Sequence, residues 1–201
     1  MNKKVILMYG GSFNPPLISH FSFAEKVLEK FAEVDKIIFM PVSSKYNKQG
    51  LIDDEHRYNM LCLGVEGKEN LEVSRIELNH ERQLYTIETL EILEKKYPEH
   101  NIWFMVGTDN LKTFDEWQRP EELMKKYKIL VIEREPDNVE ELVKQEELLS
   151  KYKESFITIN GEIKSNLSST KIREKIKNGE DITGLLPKVV QEYIEENKLY
   201  K

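Results

Sequence analysis

Six short apolar runs set the tightest limit on how this chain can fold: VILMY at 5–9, KIIFMP at 36–41, LEVSRI at 71–76, IWFMV at 102–106, KILVIE at 128–133 and FITI at 156–159. Most are continuous rather than alternating, the pattern of strands covered on both faces. Helical periodicity fills the gaps between them. In 21–32, Phe23, Ala24, Val27, Leu28 and Phe31 recur at spacings of three and four and make one apolar face. In 86–97, Ile87, Leu90 and Leu93 do the same, with Thr86 read as the cap. Segments 56–66, 121–127, 139–151 and 169–178 predict further helices, and a last one over 187–197 opens on Pro187, which suits a first helical turn. Strands alternating with helices predict an α/β chain with a doubly wound, Rossmann-like, mostly parallel sheet and helices on both faces. The length of 201 residues suits a single domain over 1–201, with 165–201 as its C-terminal helical part. The charge-rich stretch 134–155 reads as a solvated helix pair.

Composition removes several classes of partner. The formal net charge is −6, whereas proteins that hold nucleic-acid phosphates are usually basic, so neither DNA nor RNA is expected as a partner. No apolar run approaches the ~18 residues of a membrane span, so no membrane association is expected. The apolar run after Lys3 and Lys4 is too short for a secretory core. Cys62 is the only cysteine, which rules out an internal disulfide and a cysteine metal cluster and fits a reducing cytoplasm.

In a doubly wound sheet, ligands bind beyond the carboxyl ends of the strands, where the winding reverses. The first strand-to-helix turn is therefore the place to look, and it reads GGSFNPPLISH over Gly10–His20. Gly10 and Gly11 carry no side chains, so backbone amides can approach an anion closely. Ser12 adds a hydroxyl, while Pro15 and Pro16 stiffen the exit. His20 falls in the first turn of the following helix, where an imidazole can stabilise charge developing on a phosphate. The turn is neither the G-x-G-x-x-G dinucleotide turn nor the P-loop, and a rigid connection bearing a surface histidine is the other reading. A second stretch, SNLSSTKIREKIKNG at 165–179, gathers Ser168, Ser169 and Thr170 at a helix start, with Lys171 and Arg173 close behind. Hydroxyls and orphan amides at a positive dipole end favour an anion. The other reading is a well-capped surface helix.

The two stretches together carry a family resemblance. GGSFNPP followed by His20 resembles the opening of the nucleotidyltransferases with a (His or Thr)-x-Gly-His motif, specifically the nicotinate/nicotinamide mononucleotide adenylyltransferases. His20 matches the motif's second histidine, Leu17 stands at the first His or Thr position, and Ser19 stands where glycine is common. Ser168, Thr170 and Arg173 match the family's closing Ser-x-Thr-x-x-Arg pattern. SKYNKQGLIDDEHRYNML (44–61) looks like its substrate-phosphate segment, LYTIETLEIL (84–93) like its Ser-Tyr-Thr-x-x-Thr-Leu segment, and FMVGTDNLKTFDEW (104–117) like its Gly-x-Asp-x-Leu…Trp element. LLPKVVQEYIEENKLY (185–200) is similar to the bacterial members' C-terminus and is read as structural, with Val190, Tyr193 and Ile194 as an apolar stripe.

The resemblance implies adenylyl transfer from ATP to nicotinate mononucleotide, giving nicotinate adenine dinucleotide and pyrophosphate in NAD biosynthesis. It implies His20, Lys48 and Arg173 as catalytic residues. It implies Gly10, Gly11, Ser12, Phe13, Gly107, Asp109, Ser168, Ser169 and Thr170 beside ATP. At the mononucleotide it implies Asn14, Lys45, Lys48, Arg57, Tyr85, Thr86, Trp117 and Arg134. Trp117 would stack on the pyridine ring. Mg²⁺ is implied as a cofactor bound with ATP, and no metal site built by the protein is expected. Nicotinamide mononucleotide as substrate is one alternative. The other is a non-catalytic nucleotide-binding protein, since Leu17 cannot donate a hydrogen bond to a phosphate.

Overall fold

The apolar runs form six strands in the computed structural model, which describes residues 3–45, 50–133, 136–160 and 168–201. They are β1 (Val5–Gly11), β2 (Val34–Pro41), β3 (Leu71–Val73), β4 (Asn101–Gly107), β5 (Lys128–Glu133) and β6 (Phe156–Asn160). All pair in parallel in the order β3-β2-β1-β4-β5-β6. The helices are α1 (Ile18–Lys30), α2 (Asp54–Val65), α3 (Thr86–Lys96), α4 (Thr108–Leu111), α5 (Pro120–Lys126), α6 (Val139–Gln145), α7 (Glu147–Lys151), α8 (Ser169–Lys177) and α9 (Lys188–Glu196).

β1 shows why its run is apolar without alternation. Successive side chains point to opposite faces. Ile6 and Met8 join Ile87, Leu90 and Leu93 of α3 in one core cluster, whereas Leu7 and Tyr9 join Phe21, Ala24 and Val27 of α1 in another. Both faces are covered, so no position in 5–9 can be polar without cost. A third cluster lies outside the sheet and contains Leu17, Met60 of α2, Ile172 of α8, and Val190 and Ile194 of α9. It fastens the C-terminal helices to the opening turn and α2. Among the described residues, no helix is long and apolar enough to cross a membrane.

Local chemistry moves several boundaries from those expected. β3 stops at Val73, because it is an edge strand paired only with β2 and Ser74 N–H closes the ladder on the Phe39 carbonyl. α3 is capped at Tyr85 rather than Thr86, since the Glu88 carboxylate reaches back to accept the Tyr85 N–H at 2.9 Å. Pro187 is the N-cap of α9 and not its first residue. The helical stretch 139–151 breaks at Glu146 into α6 and α7. α4 is too short to show a period and went unread.

One glycine is set by packing and not by backbone angle. A Cβ on Gly64 would stand 2.2 Å from the Phe21 ring, and both residues are buried. Gly64→Ala is therefore expected to destabilise the fold by about 1–3 kcal/mol through overpacking. Urea unfolding measures this, and adding Phe21→Leu to the variant should recover part of the loss.

Candidate active site

The strand order reverses between β1 and β4: α1 carries the chain from β1 to β2 on one side, and β4, β5 and β6 extend the sheet on the other. The carboxyl ends of these two central strands splay apart there and leave a crevice. A cleft of about 500 Å³ occupies it. Gly10, Gly11, Ser12, Phe13 and His20 line one wall, Gly107 and Asp109 at the end of β4 line the floor, and Tyr85, Thr86 and Trp117 line the far side. Ser169, from the tip of α8, completes the rim.

The opening turn is shaped by Phe13. Its backbone takes φ of 44°, in the left-handed region that costs a non-glycine residue about 1–2 kcal/mol. Aromatic packing holds it there: the ring meets Tyr9, His20 and Phe39 edge-on at centroid distances of 5.5, 5.1 and 5.6 Å. Gly11 is needed because a Cβ would lie 2.9 Å from that ring. At Gly10 an added Cβ would meet no protein atom within 4 Å, so the space beside that backbone belongs to the cleft. His20 sits in the first turn of α1, where its Nδ1 accepts the Leu17 N–H at 2.8 Å. An Nδ1 that accepts carries no proton, so the neutral ring holds its proton on Nε2 as a donor.

The turn is held through its carbonyls. Arg57 donates from Nη1 to the Ser12 carbonyl at 3.0 Å, from Nε to the Ile52 carbonyl at 3.2 Å, and from Nη2 to the Asp54 carboxylate. Arg173 donates to the Asn14 carbonyl at 2.9 Å and to Thr170 Oγ1 at 3.2 Å, and Ser169 Oγ donates to the Pro15 carbonyl at 2.9 Å. α8 itself is capped by Ser168 Oγ, which accepts the Lys171 N–H at 3.3 Å.

Two expected ligands are corrected by this geometry. Arg57 is fully buried behind the turn with its guanidinium spent on backbone and Asp54, so it does not face the cleft. The Asn14 side chain is 2% exposed and bonds to Gly50, Ile52 and Tyr200 instead of lining the cleft. Lys45 is exposed and donates to the His80 carbonyl. Ser168 and Thr170 are exposed at the tip of α8. Lys48 and Arg134 lie outside the described residues.

The far wall holds a residue that sequence reasoning missed. Glu77 lines the cleft at 7% exposure and bonds to the Thr89 hydroxyl of α3 at 2.9 Å. Burial pushes its carboxyl from 4.5 up to about 7. At the start of the same helix, Arg82 beside Glu88 holds that carboxyl down at about 2, so the cap on Tyr85 stays ionised. Trp117 stacks on buried Phe114 at 4.8 Å between ring centroids, which fixes its plane at the cleft edge.

Comparisons with known proteins give the family. Residues 8–175 match the family model described as Cytidylyltransferase-like. A probable nicotinate-nucleotide adenylyltransferase of Clostridium tetani is 33% identical over 204 residues, spanning 100% of both chains. The chain belongs to the nicotinate-nucleotide adenylyltransferase family. A second member, from Flavobacterium johnsoniae, is 36% identical over 199 residues, covering 96% of this chain and 97% of its own. Among solved structures, Plasmodium falciparum nicotinic acid mononucleotide adenylyltransferase complexed with NaAD has a TM-score of 0.81 at 22% identity, covering 98% of this chain and 97% of that one. A Vibrio parahaemolyticus structure described as a putative nicotinate-nucleotide adenylyltransferase has a TM-score of 0.69 at 21% identity, covering 98% and 95%. At such identities the two structures speak for the fold alone.

Membership makes the chain a nucleotidyltransferase, and it gives Leu17 a definite meaning within the family. The position that resembles the adenylyltransferases' first motif His or Thr is 3% exposed here and belongs to the third apolar cluster with Ile172 of α8. Glu77 had no comparable signal, because one glutamate after a strand gives no sign of burial.

The raised carboxyl of Glu77 has a pH signature. Below 4.5 it is neutral in both states; between 4.5 and about 7 the unfolded chain releases a proton that the folded chain keeps. Stability is therefore fully present below that window and falls as pH rises through it, by on the order of 3 kcal/mol. Glu77→Gln has no proton to lose, so its advantage over the parent in urea unfolding is expected to grow from pH 5 to pH 8.

Proposed function

We propose that this chain transfers AMP from ATP to nicotinate mononucleotide, giving nicotinate adenine dinucleotide and pyrophosphate in NAD biosynthesis. The observation that carries this is the junction of the two motif stretches. Ser169 and Arg173 bond to the carbonyls of Pro15 and Asn14, 154 and 159 residues away, each at 2.9 Å. The glycine turn, His20 and the tip of α8 thus meet at one cleft, at the reversal point of the sheet. The curated relatives' names support the choice of substrate.

In this reaction a phosphate oxygen of the mononucleotide attacks the α-phosphorus of ATP, and the bond from that phosphorus to the bridging oxygen of pyrophosphate breaks. The nucleophile is already an anion, so the protein must align two polyanions and neutralise charge as it shifts. His20 donates from Nε2 toward the phosphates as charge builds on the leaving group. The backbone at Gly10, Gly11 and Ser12, together with Ser169 and Arg173, holds the triphosphate, and Asp109 serves the ribose. Lys48 holds the attacking phosphate, with Lys45 and Arg134 as further cations. Tyr85 and Thr86 stand at the pyridine, where the amides of the α3 first turn suit a carboxylate. Trp117, already fixed on one side by Phe114, stacks on the ring.

Nucleotidyltransferases of this family generally use a divalent metal with ATP, and we assign Mg²⁺. The ion is assigned to phosphate oxygens and water. Bound there, it would add charge neutralisation on the triphosphate. Cys62, the chain's only cysteine, suits a reaction in the cytoplasm.

Pyrophosphate release with Mg-ATP tests this reading. Turnover is expected with nicotinate mononucleotide and, more weakly, with nicotinamide mononucleotide. His20→Ala is expected to lower kcat about 10²–10⁴-fold in a protein that still folds, with the melting temperature lowered by a few degrees through the lost packing on Phe13 and the lost bond from Leu17. ATP binding without turnover on either mononucleotide would replace the enzyme reading with that of a nucleotide-binding protein.

A further inference from the structure

The end of the chain returns to its first turn. Tyr200 takes a left-handed φ of 64°, and its hydroxyl donates to Asn14 Oδ1 at 2.9 Å across 186 residues. Burial pushes the phenol well above its ordinary range, so the group remains a donor at neutral pH. The same Asn14 side chain donates from Nδ2 to the Gly50 carbonyl at 2.6 Å, and its Oδ1 also accepts the Ile52 N–H at 3.4 Å. Its orientation is unambiguous: a carbonyl can only accept, so the amide nitrogen faces Gly50, and a backbone N–H can only donate, so the oxygen faces Ile52 and Tyr200. The Asn14 main-chain carbonyl accepts from Arg173 at 2.9 Å. One buried residue therefore ties the triphosphate turn, the segment 50–52 and the chain terminus together.

The terminus is braced independently of that bond. Leu199 N–H returns to the Ile194 carbonyl at 3.0 Å, and Leu199 and Tyr200 pack on the third apolar cluster. Tyr193 of α9 engages His56 Nδ1 at 3.0 Å and Asn59 Nδ2 at 3.2 Å on α2. The phenyl ring of Tyr200 thus anchors the terminus, while the hydroxyl alone speaks to Asn14.

We propose that Tyr200 is a positioning residue for adenylyl transfer: through Asn14 it sets segment 50–52, which lies between α2 and the stretch of sequence assigned above to the mononucleotide's phosphate, relative to the triphosphate turn. This rests on that reading of substrate, because the segment matters to catalysis only if a mononucleotide phosphate docks beside it. A bond to Asn14 costs the ATP side little when lost, since Arg173, Ser169 and Arg57 still hold the turn.

Tyr200→Phe removes the hydroxyl and keeps the anchoring ring. It is expected to raise KM for nicotinate mononucleotide about fivefold, the loss of one buried hydrogen bond, with kcat and KM for ATP nearly unchanged. The melting temperature should fall by no more than about 2–4 °C, and hydrogen–deuterium exchange should quicken over residues 50–53. Equal rises in both KM values, a larger fall in melting temperature, or no change in KM would each overturn the proposal. If the parent protein fails to turn over the mononucleotide, the substrate reading fails separately. Exchange over 50–53 then decides the link by itself: unchanged exchange in Tyr200→Phe overturns it.

Discussion

A turn whose backbone lines a cleft cannot pack on a core from that side, so its carbonyls have to be held by groups from other elements. That constraint organises this molecule. The carbonyls of Ser12, Asn14 and Pro15 are taken by Arg57, Arg173 and Ser169, while the Leu185 carbonyl receives the Ile18 N–H. Two of these groups carry full charge, and hydrogen bonds to charged donors are the stronger kind. Arg57 is the extreme case, a guanidinium with no exposure whose charge is matched by Asp54. Leaving such a charge unpaired costs about 3–5 kcal/mol, so Arg57 and Asp54 act as one unit.

Aromatic packing does the same service from inside. Phe13 sits in a backbone conformation unfavourable for its type and is kept there by Tyr9, His20 and Phe39. The contact also places the imidazole, which is fixed a second time by the bond from the Leu17 amide to Nδ1. A ring held by stacking and by one of its two nitrogens has little freedom, and such preorganisation makes a single donor effective at a transition state. Leu17 contributes its main chain to this and its side chain to the apolar cluster that fastens α8.

The cleft has two unlike walls. On the turn side, glycine backbone, an imidazole and a helix tip suit phosphate. Across from it stand a stacked Trp117, the capped first turn of α3 and buried Glu77. The raised proton affinity of the Glu77 carboxyl arises because burial leaves its ionised form poorly solvated, which the bond from the Thr89 hydroxyl offsets only in part.

The amino-acid sequence by itself determined the six strands, the parallel α/β class and the two stretches that meet at the cleft. Apolar periodicity and turn chemistry report the surroundings of one element at a time, and here nearly every element agreed with its neighbours. Only the tertiary structure decided which polar residues face the ligand. Arg57 and Asn14 read from sequence as ligands and turned inward, whereas Glu77 carried no signal and lines the cleft, and Tyr200, read only as part of a structural segment, bonds to Asn14. The reason is physical: whether a polar side chain spends its hydrogen bonds on substrate or on backbone depends on what folding brings beside it. A bond across 186 residues leaves no trace in local spacing.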